Sequence, residues 1–278
     1  MQYTLEKIYL GTALEIDPVK TFECGQCFRW NADENGDYYG VSRGRAAKIV
    51  REDDEVYIIS TREDYETIWR DYLDMETDYE SIRLGFNGGE YLRRCAEFGA
   101  GIRILRQERW EALCSFIISQ CNNIPRIKGI VEKLCTAYGE PIEFEGRVFY
   151  SFPSAETIAA LEPEELGHIR SGYRADYIVG AARAVAKGEI DLEALAAADC
   201  DTAMKGLLSL NGVGTKVANC ALLFGLGHME AFPIDVWMKR ALKEHFAPDF
   251  DPKTLGAYAG LAQQYIFYYA RSGEKENG

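Results

Sequence analysis

The sequence predicts an α+β protein: an N-terminal antiparallel β-sheet domain followed by a larger, mainly α-helical domain. Two observations carry this. In the first quarter, short β-patterned runs alternate with charged or glycine-bearing connectors. From about residue 62 onward, apolar residues recur three and four apart, the spacing of a helix face. With 278 residues, 47% of them hydrophobic, the chain has core for one large domain or two smaller ones. The uneven distribution of the two patterns favours two, over 1–98 and 99–278.

In chain order, the opening MQYTLEKIYLGTALEID is mixed and charged and does not read as a signal peptide. TFECGQCFRWN (21–31), DYYGVS (37–42), AAKIVR (46–51) and VYIIST (56–61) read as strands. The connectors RGR and EDDE between the last three suggest an antiparallel meander. WEALCSFIISQC, PRIKGIVEKLCTAYG, ADYIVGAARAVAKG and AYAGLAQQYIFYYARSG then predict amphipathic helices, and the last three end in a glycine at the expected C-cap. The tail SGEKENG reads as frayed. No apolar run nears the ~18 residues of a membrane span.

The net charge of −13 argues against a polyanionic partner at first sight. However, residues 51–80 hold 12 acids and 3 bases, a balance of −9, which leaves −4 for everything else. A neutral or basic face elsewhere is compatible with that. The eight cysteines are scattered, several inside apolar helical patterns, and read as reduced thiols rather than a disulfide framework. Cys24 and Cys27 form a lone C-x-x-C, short of the roughly four ligands of a zinc site.

The most informative stretch runs from 207 to 242, LLSLNGVGTKVANCALLFGLGHMEAFPIDVWMKRAL. A helical run ends at Leu210, Asn211-Gly212-Val213-Gly214 forms a tight turn, and a second helix begins near Thr215. Gly212 and Gly214 permit positive φ and close approach of a partner's backbone. The free N–H groups opening the second helix suit a phosphate. An ordinary helix-turn-helix connector reads equally well from the turn alone. Lys216 lies in the first turn of that second helix, where the dipole disfavours a cation. Partial burial would add to this and make a neutral, nucleophilic amine available. Alone, it reads more simply as a solvated lysine. Asp235 follows Phe232-Pro233-Ile234 and precedes VWMKRALKEHF, as an N-cap would. A capping carboxylate facing Lys216 can also stabilise positive charge developing on a sugar.

The unit L-x-G-V-G-T-K, followed by F-P-I-D, resembles the helix-hairpin-helix, Gly/Pro, Asp motif of base-excision DNA glycosylases. Asn211 stands where proline is common, and a lysine at 216 resembles the bifunctional members. Four further segments resemble the 8-oxoguanine DNA glycosylase branch: GIRILRQERWEALCSFIISQCNNIPRI, SGYRADY, YAGLAQQYIFYY and GQCFRW. The resemblance covers most of the chain. It implies a glycosylase and abasic-site lyase acting on double-stranded DNA that contains 8-oxoguanine. The target base must leave the duplex before its glycosidic bond can be reached.

Residue by residue, the resemblance assigns catalysis to Lys216 and Asp235. Gly25, whose carbonyl would accept from N7–H of the oxidised base, joins Cys220, Gln263 and Phe267 in the base pocket. The i,i+4 spacings of Lys216/Cys220 and Gln263/Phe267 place each pair on one helix face. Tyr173 becomes the wedge that fills the gap. Arg174 and Arg126 become donors to the orphaned cytosine, with Cys121 and Asn122 beside them. Gly212, Gly214 and Trp237 become contacts to the DNA strand. Each has a plain alternative as core, cap or surface residue.

Two departures from the family stand out. Cys121 replaces the first of three consecutive asparagines, which implies looser discrimination of the opposite base. Trp237 replaces a common histidine, which removes a charge near a phosphate. The resemblance implies no required cofactor. The family hairpin can hold a structural monovalent cation through carbonyls, here those of Leu208, Leu210 and Val213. An iron–sulfur cluster is not expected, because related cluster-bearing glycosylases group four cysteines near the C-terminus and this chain has none after Cys220. A cytoplasmic, nucleoid-associated monomer of a prokaryote is the expectation, with no membrane association. The alternatives are a related glycosylase for another damaged or mispaired purine, and a hairpin protein that binds DNA without catalysis.

Overall fold

The computed structural model describes residues 4–273; the last five residues of the tail expected to fray lie outside the described residues. Five antiparallel strands form the N-terminal sheet: β1 (Glu6–Thr12), β2 (Asn31–Ala32), β3 (Tyr38–Ser42), β4 (Arg45–Glu52) and β5 (Glu55–Ser60). Their order is β1-β5-β4-β3-β2. The β3-β4-β5 meander is as expected, with Ser42 paired to Arg45 and Glu52 to Glu55 across tight turns. Arg43 and Gly44 both take positive φ, which matches the right-handed twist of the flanking strands.

One strand not singled out in the sequence and one correction concern this region. The opening segment, mixed in sequence, supplies β1. Ile8 and Leu10 point into the core while Tyr9 faces out, and β1 pairs with β5. TFECGQCFRWN is not a strand. Asp17 accepts from the Lys20 N–H at 3.0 Å and Pro18 occupies the first turn, so a short helix, α1 (Pro18–Glu23), forms instead. Gly25, at φ +81°, follows that helix, and the chain folds back until Trp30 stacks on Phe22 at 4.3 Å. Only residues 31–32 reach the sheet. Trp30 donates to the Tyr72 hydroxyl at 2.9 Å within a core of Ile8, Ile49, Ile58, Trp69 and Leu73.

The remainder is mainly helical: α2 (Gly89–Phe98), α3 (Arg109–Ile118), α4 (Ile124–Tyr138), α5 (Arg174–Ala186), α6 (Cys200–Leu208), α7 (Thr215–Ala221), α8 (Val236–His245) and α9 (Ala259–Ser272), with shorter turns between. α3 is buried on nearly every side, which places it at the centre of the helical core. The three predicted terminal glycines sit at or just past helix ends. Of these only Gly188 (φ +71°) adopts the left-handed cap, while Gly139 is extended and Gly273 stays right-handed.

A hairpin of β6 (Pro141–Phe144) and β7 (Arg147–Tyr150) was not anticipated; its turn is Glu145-Gly146, both at positive φ. It sets Phe149 against Tyr39 of the sheet, with ring centroids 6.0 Å apart. The two cores are also joined through Arg103. Its buried guanidinium donates to the carbonyls of Leu73, Glu15 and Thr77 at 2.9–3.0 Å. Among the described residues no helix is long and apolar enough to cross a membrane.

Candidate active site and DNA interface

The hairpin expected from sequence joins α6 to α7. Gly212 lies at φ +80°, and a Cβ there would fall 2.2 Å from the Tyr177 ring. No other residue fits that position. The Gly212 carbonyl accepts from Gln120 Nε2 at 3.0 Å, tying the hairpin to the loop after α3. Gly214 is the N-cap of α7, and nothing lies within 4 Å of where its Cβ would be. The first N–H groups of α7 are therefore not covered by a capping side chain. The Leu210 carbonyl accepts from Val213 N–H at 3.1 Å and keeps a second lone pair, as a carbonyl ligand to a cation would need.

Lys216 is half-buried. Its Nζ donates to Ser119 Oγ at 3.2 Å and lies 5.4 Å from the centroid of the Phe116 ring. It forms no ion pair among the described residues. Cys220, one turn along α7, is buried; burial pushes its thiol up, Lys216 opposes that, and Asp235 adds to it. Lys216 and Asp235 thus both lie within electrostatic reach of Cys220. Asp235 caps α8, accepting from Met238 N–H at 2.9 Å, so cap geometry and proximity to Cys220 coexist.

The base-pocket residues come from opposite ends of the chain. A Cβ on Gly25 would touch the Phe267 ring at 3.5 Å and Ile124 at 3.4 Å. The Cys24 carbonyl accepts from Gln264 Nε2 at 2.7 Å, which locks α9 to the loop carrying Gly25. That loop is itself held by Gln26, fully buried, which donates to the Arg103 carbonyl at 2.7 Å and accepts from Leu105 N–H at 2.9 Å. Gln263 is 4% exposed, and its amide oxygen has no hydrogen-bond partner. Burial pushes the Cys24 thiol up to about 11 and Cys27 well above its usual range, so both are inert core groups.

Of the residues expected at the orphaned base, Cys121, Tyr173 and Arg174 lie together. Cys121 is exposed at φ +51°, its thiol close to the Tyr173 hydroxyl. Tyr173 is 52% exposed, as a wedge requires, and the Arg174 guanidinium lies 4.4 Å from its ring centroid. Arg174 is placed otherwise than expected. It is 4% exposed, and its guanidinium donates to the carbonyls of Gln120 and Ser171. Those bonds make it a holder of the 119–123 loop rather than an outstretched donor. Asn122 donates to the Ile118 carbonyl at 2.8 Å, while its own amide oxygen is buried without a partner. Arg126 is exposed in the first turn of α4 and forms no ion pair among the described residues. Trp237 is half-buried in the first turn of α8.

Sequence reasoning missed three residues here: Ser119, which holds the lysine; Gln120, which bridges to the hairpin; and Gln264, which joins the two ends of the pocket. Short polar residues beside an apolar run carry no spacing that separates a buried contact from a solvated one.

Two family models cover most of the chain. One described as 8-oxoguanine DNA glycosylase, N-terminal domain, matches residues 9–113. One described as HhH-GPD superfamily base excision DNA repair protein matches residues 114–259. The N-glycosylase/DNA lyase of Saccharomyces cerevisiae is 30% identical over 275 residues, covering 88% of this chain and 72% of that protein. A solved structure of MBOgg1 with a low-affinity DNA ligand is 38% identical, with a TM-score of 0.90 over 99% of this chain and 100% of that one. The 8-oxoguanine glycosylase/lyase of Clostridium acetobutylicum, solved with double-stranded DNA containing cytosine opposite 8-oxoguanine, is 31% identical. Its TM-score is 0.87 over 99% of this chain and 100% of that one.

Proposed function

We propose a function from one premise: the chain belongs to the HhH-GPD superfamily of base excision DNA repair proteins. Its activity is excision of 8-oxoguanine from double-stranded DNA, followed by lyase cleavage at the abasic site. The observation that carries this reading is the setting of Lys216. Its amine rests on a neutral hydroxyl rather than a carboxylate and lies beside Cys220, which Asp235 also reaches electrostatically.

In the proposed reaction the Lys216 amine attacks C1′ of the flipped nucleotide. The glycosidic bond breaks, the base leaves with the bonding pair and is protonated, and the amine loses a proton. The Asp235 carboxylate stabilises the oxocarbenium-like charge on the sugar. Ring opening gives a Schiff base between Lys216 and C1′. Loss of a C2′ proton then expels the 3′ phosphate, and hydrolysis frees the lysine. The Ser119 hydroxyl orients the amine before attack. Gly25, Gln263 and Phe267 hold the base, and Tyr173 enters the gap it leaves.

No redox cofactor takes part. A monovalent cation at the carbonyls of Leu208, Leu210 and Val213 belongs to the proposal as a structural ion, and no chemical step passes through it. The protein acts as a monomer, and a cytoplasmic, nucleoid-associated location follows from its DNA substrate.

Borohydride trapping tests the reading. The protein is incubated with a duplex bearing 8-oxoguanine opposite cytosine, and borohydride is added. A covalent protein–DNA adduct is expected, absent in Lys216→Gln. An absent adduct in the parent protein, or an equal one in the variant, removes Lys216 as the nucleophile.

A further inference from the structure

Away from this site, Cys200, His228 and Glu230 place one ligand atom each within 4.8 Å of the others. Cys200 opens α6. His228 and Glu230 lie in the segment between the hairpin's second helix and Asp235. All three border or underlie a cleft of about 720 Å³ between α6 and the 251–257 segment, lined also by Asp199, Asp201 and Lys253.

The histidine fixes the chemistry. His228 is 7% exposed, and its Nε2 lies 3.1 Å from the Leu195 carbonyl. A carbonyl only accepts, so Nε2 carries the proton. In the neutral ring the Nδ1 lone pair then faces the Glu230 carboxylate, 3.6 Å away. Two lone-pair atoms at that distance repel unless a proton or a metal cation lies between them. A ring nitrogen bonded to a backbone carbonyl, leaving the other free, is also how metal-bound histidines are oriented.

We propose that Cys200 Sγ, His228 Nδ1 and a Glu230 oxygen bind a zinc ion. Sulfur, imidazole and carboxylate together suit zinc rather than calcium or magnesium. Bonds of about 2.0–2.3 Å set tetrahedral ligands roughly 3.3–3.8 Å apart. His228 and Glu230 already meet this. The sulfur closes by at most about 1.5 Å, within reach of side-chain rotation. On binding, the thiol proton passes to solvent and the sulfur's charge is neutralised by the ion. The fourth position opens to the cleft and takes water. The ion clips the start of α6 to the segment that leads to Asp235, a bracing role independent of the proposed base excision.

Cobalt(II) reports on this directly. The full chain is stripped with chelator, freed of it and titrated with cobalt. Thiolate-to-cobalt absorption in the near ultraviolet and tetrahedral bands in the visible are expected, saturating at one ion per chain. Cys200→Ser abolishes the near-ultraviolet band. Glu230→Gln keeps that band and weakens zinc binding at least ~10-fold by equilibrium dialysis. Cys121→Ser, which alters the exposed thiol, leaves the spectrum unchanged. Circular dichroism confirms folding, and if Cys200→Ser does not fold, Glu230→Gln decides, since its side chain is 48% exposed. No thiolate band in the parent protein, a band lost in Cys121→Ser, or unchanged zinc binding in Glu230→Gln overturns the site and leaves a protonated His228–Glu230 pair as its explanation.

Discussion

The amide oxygen of Gln263 is buried with nothing to bond, a condition native proteins rarely sustain without a reason. In the proposed pocket, the arriving base supplies one. Gln263→Leu removes the orphan while keeping much of the volume, so the thermal midpoint should hold or rise. Excision of 8-oxoguanine should fall, because a buried hydrogen bond is worth about 1–3 kcal/mol, or roughly 5–150-fold in kcat/KM. A fall in stability with excision unchanged would make Gln263 a packing residue.

Cys121 bears on the partner base. An exposed thiol beside Tyr173 is a weak reader of hydrogen-bond pattern. Excision opposite A, G and T should therefore approach that opposite C within about tenfold, measured by competition between duplexes. Strict cytosine preference would sink this expectation. The positions of Lys216 and Asp235 were legible at this scale because a glycine-bearing turn and a cap fix them, while their roles came only with the family resemblance. Ser119 and Gln120 were not, because their roles depend on what the fold brings opposite them.

Among the elements, α8 lets two roles of one residue be separated. Asparagine caps a helix about as well as aspartate. Asp235→Asn should therefore leave the melting temperature nearly unchanged, yet lower excision by 100-fold or more through the lost charge. Asp235→Ala should lose both, with ~1 kcal/mol of stability. Equal activity in the parent and the Asn variant would reduce Asp235 to a cap. α5 makes a different point. Because the Arg174 side chain holds the Gln120 and Ser171 carbonyls, Arg174→Ala should cost on the order of 2–4 kcal/mol in chemical denaturation, beyond any effect on DNA. A cost below ~0.5 kcal/mol would make it a surface residue. The helices were readable from period alone. Residues 21–31 misled because their β-rich composition outweighed the cap at Asp17, and β6–β7 stayed hidden because four-residue strands leave too little alternation.

For the molecule as a whole, the seam between the two cores contains a buried ion pair. Glu111 is wholly inside, its carboxyl pushed up to about 7 by burial, with Arg29 at 3.9 Å opposing. The folded state binds this proton more tightly than the unfolded one. Stability from this group is therefore full below about pH 4.5 and is lost as pH rises to about 7. At about 1.4 kcal/mol per unit the span is on the order of 3 kcal/mol. Denaturation measured from pH 5 to pH 8 should show this decline, and Glu111→Gln should flatten it. A parallel decline in both proteins would assign it elsewhere. Sequence gave no hint of the pair, since Glu111 sits in an ordinary helical pattern.

The bond from Gln264 to the Cys24 carbonyl joins residues 240 positions apart. A ribosome delivers Cys24 long before Gln264. The hairpin, Lys216 and Asp235 all emerge before α9, so a chain halted near residue 258 would carry the reactive amine without the wall that chooses a base. Such a fragment is expected to retain affinity for DNA and lose preference for the lesion. Selectivity thus matures after the hairpin that precedes it, and the order of translation keeps a chain without α9 from distinguishing damage.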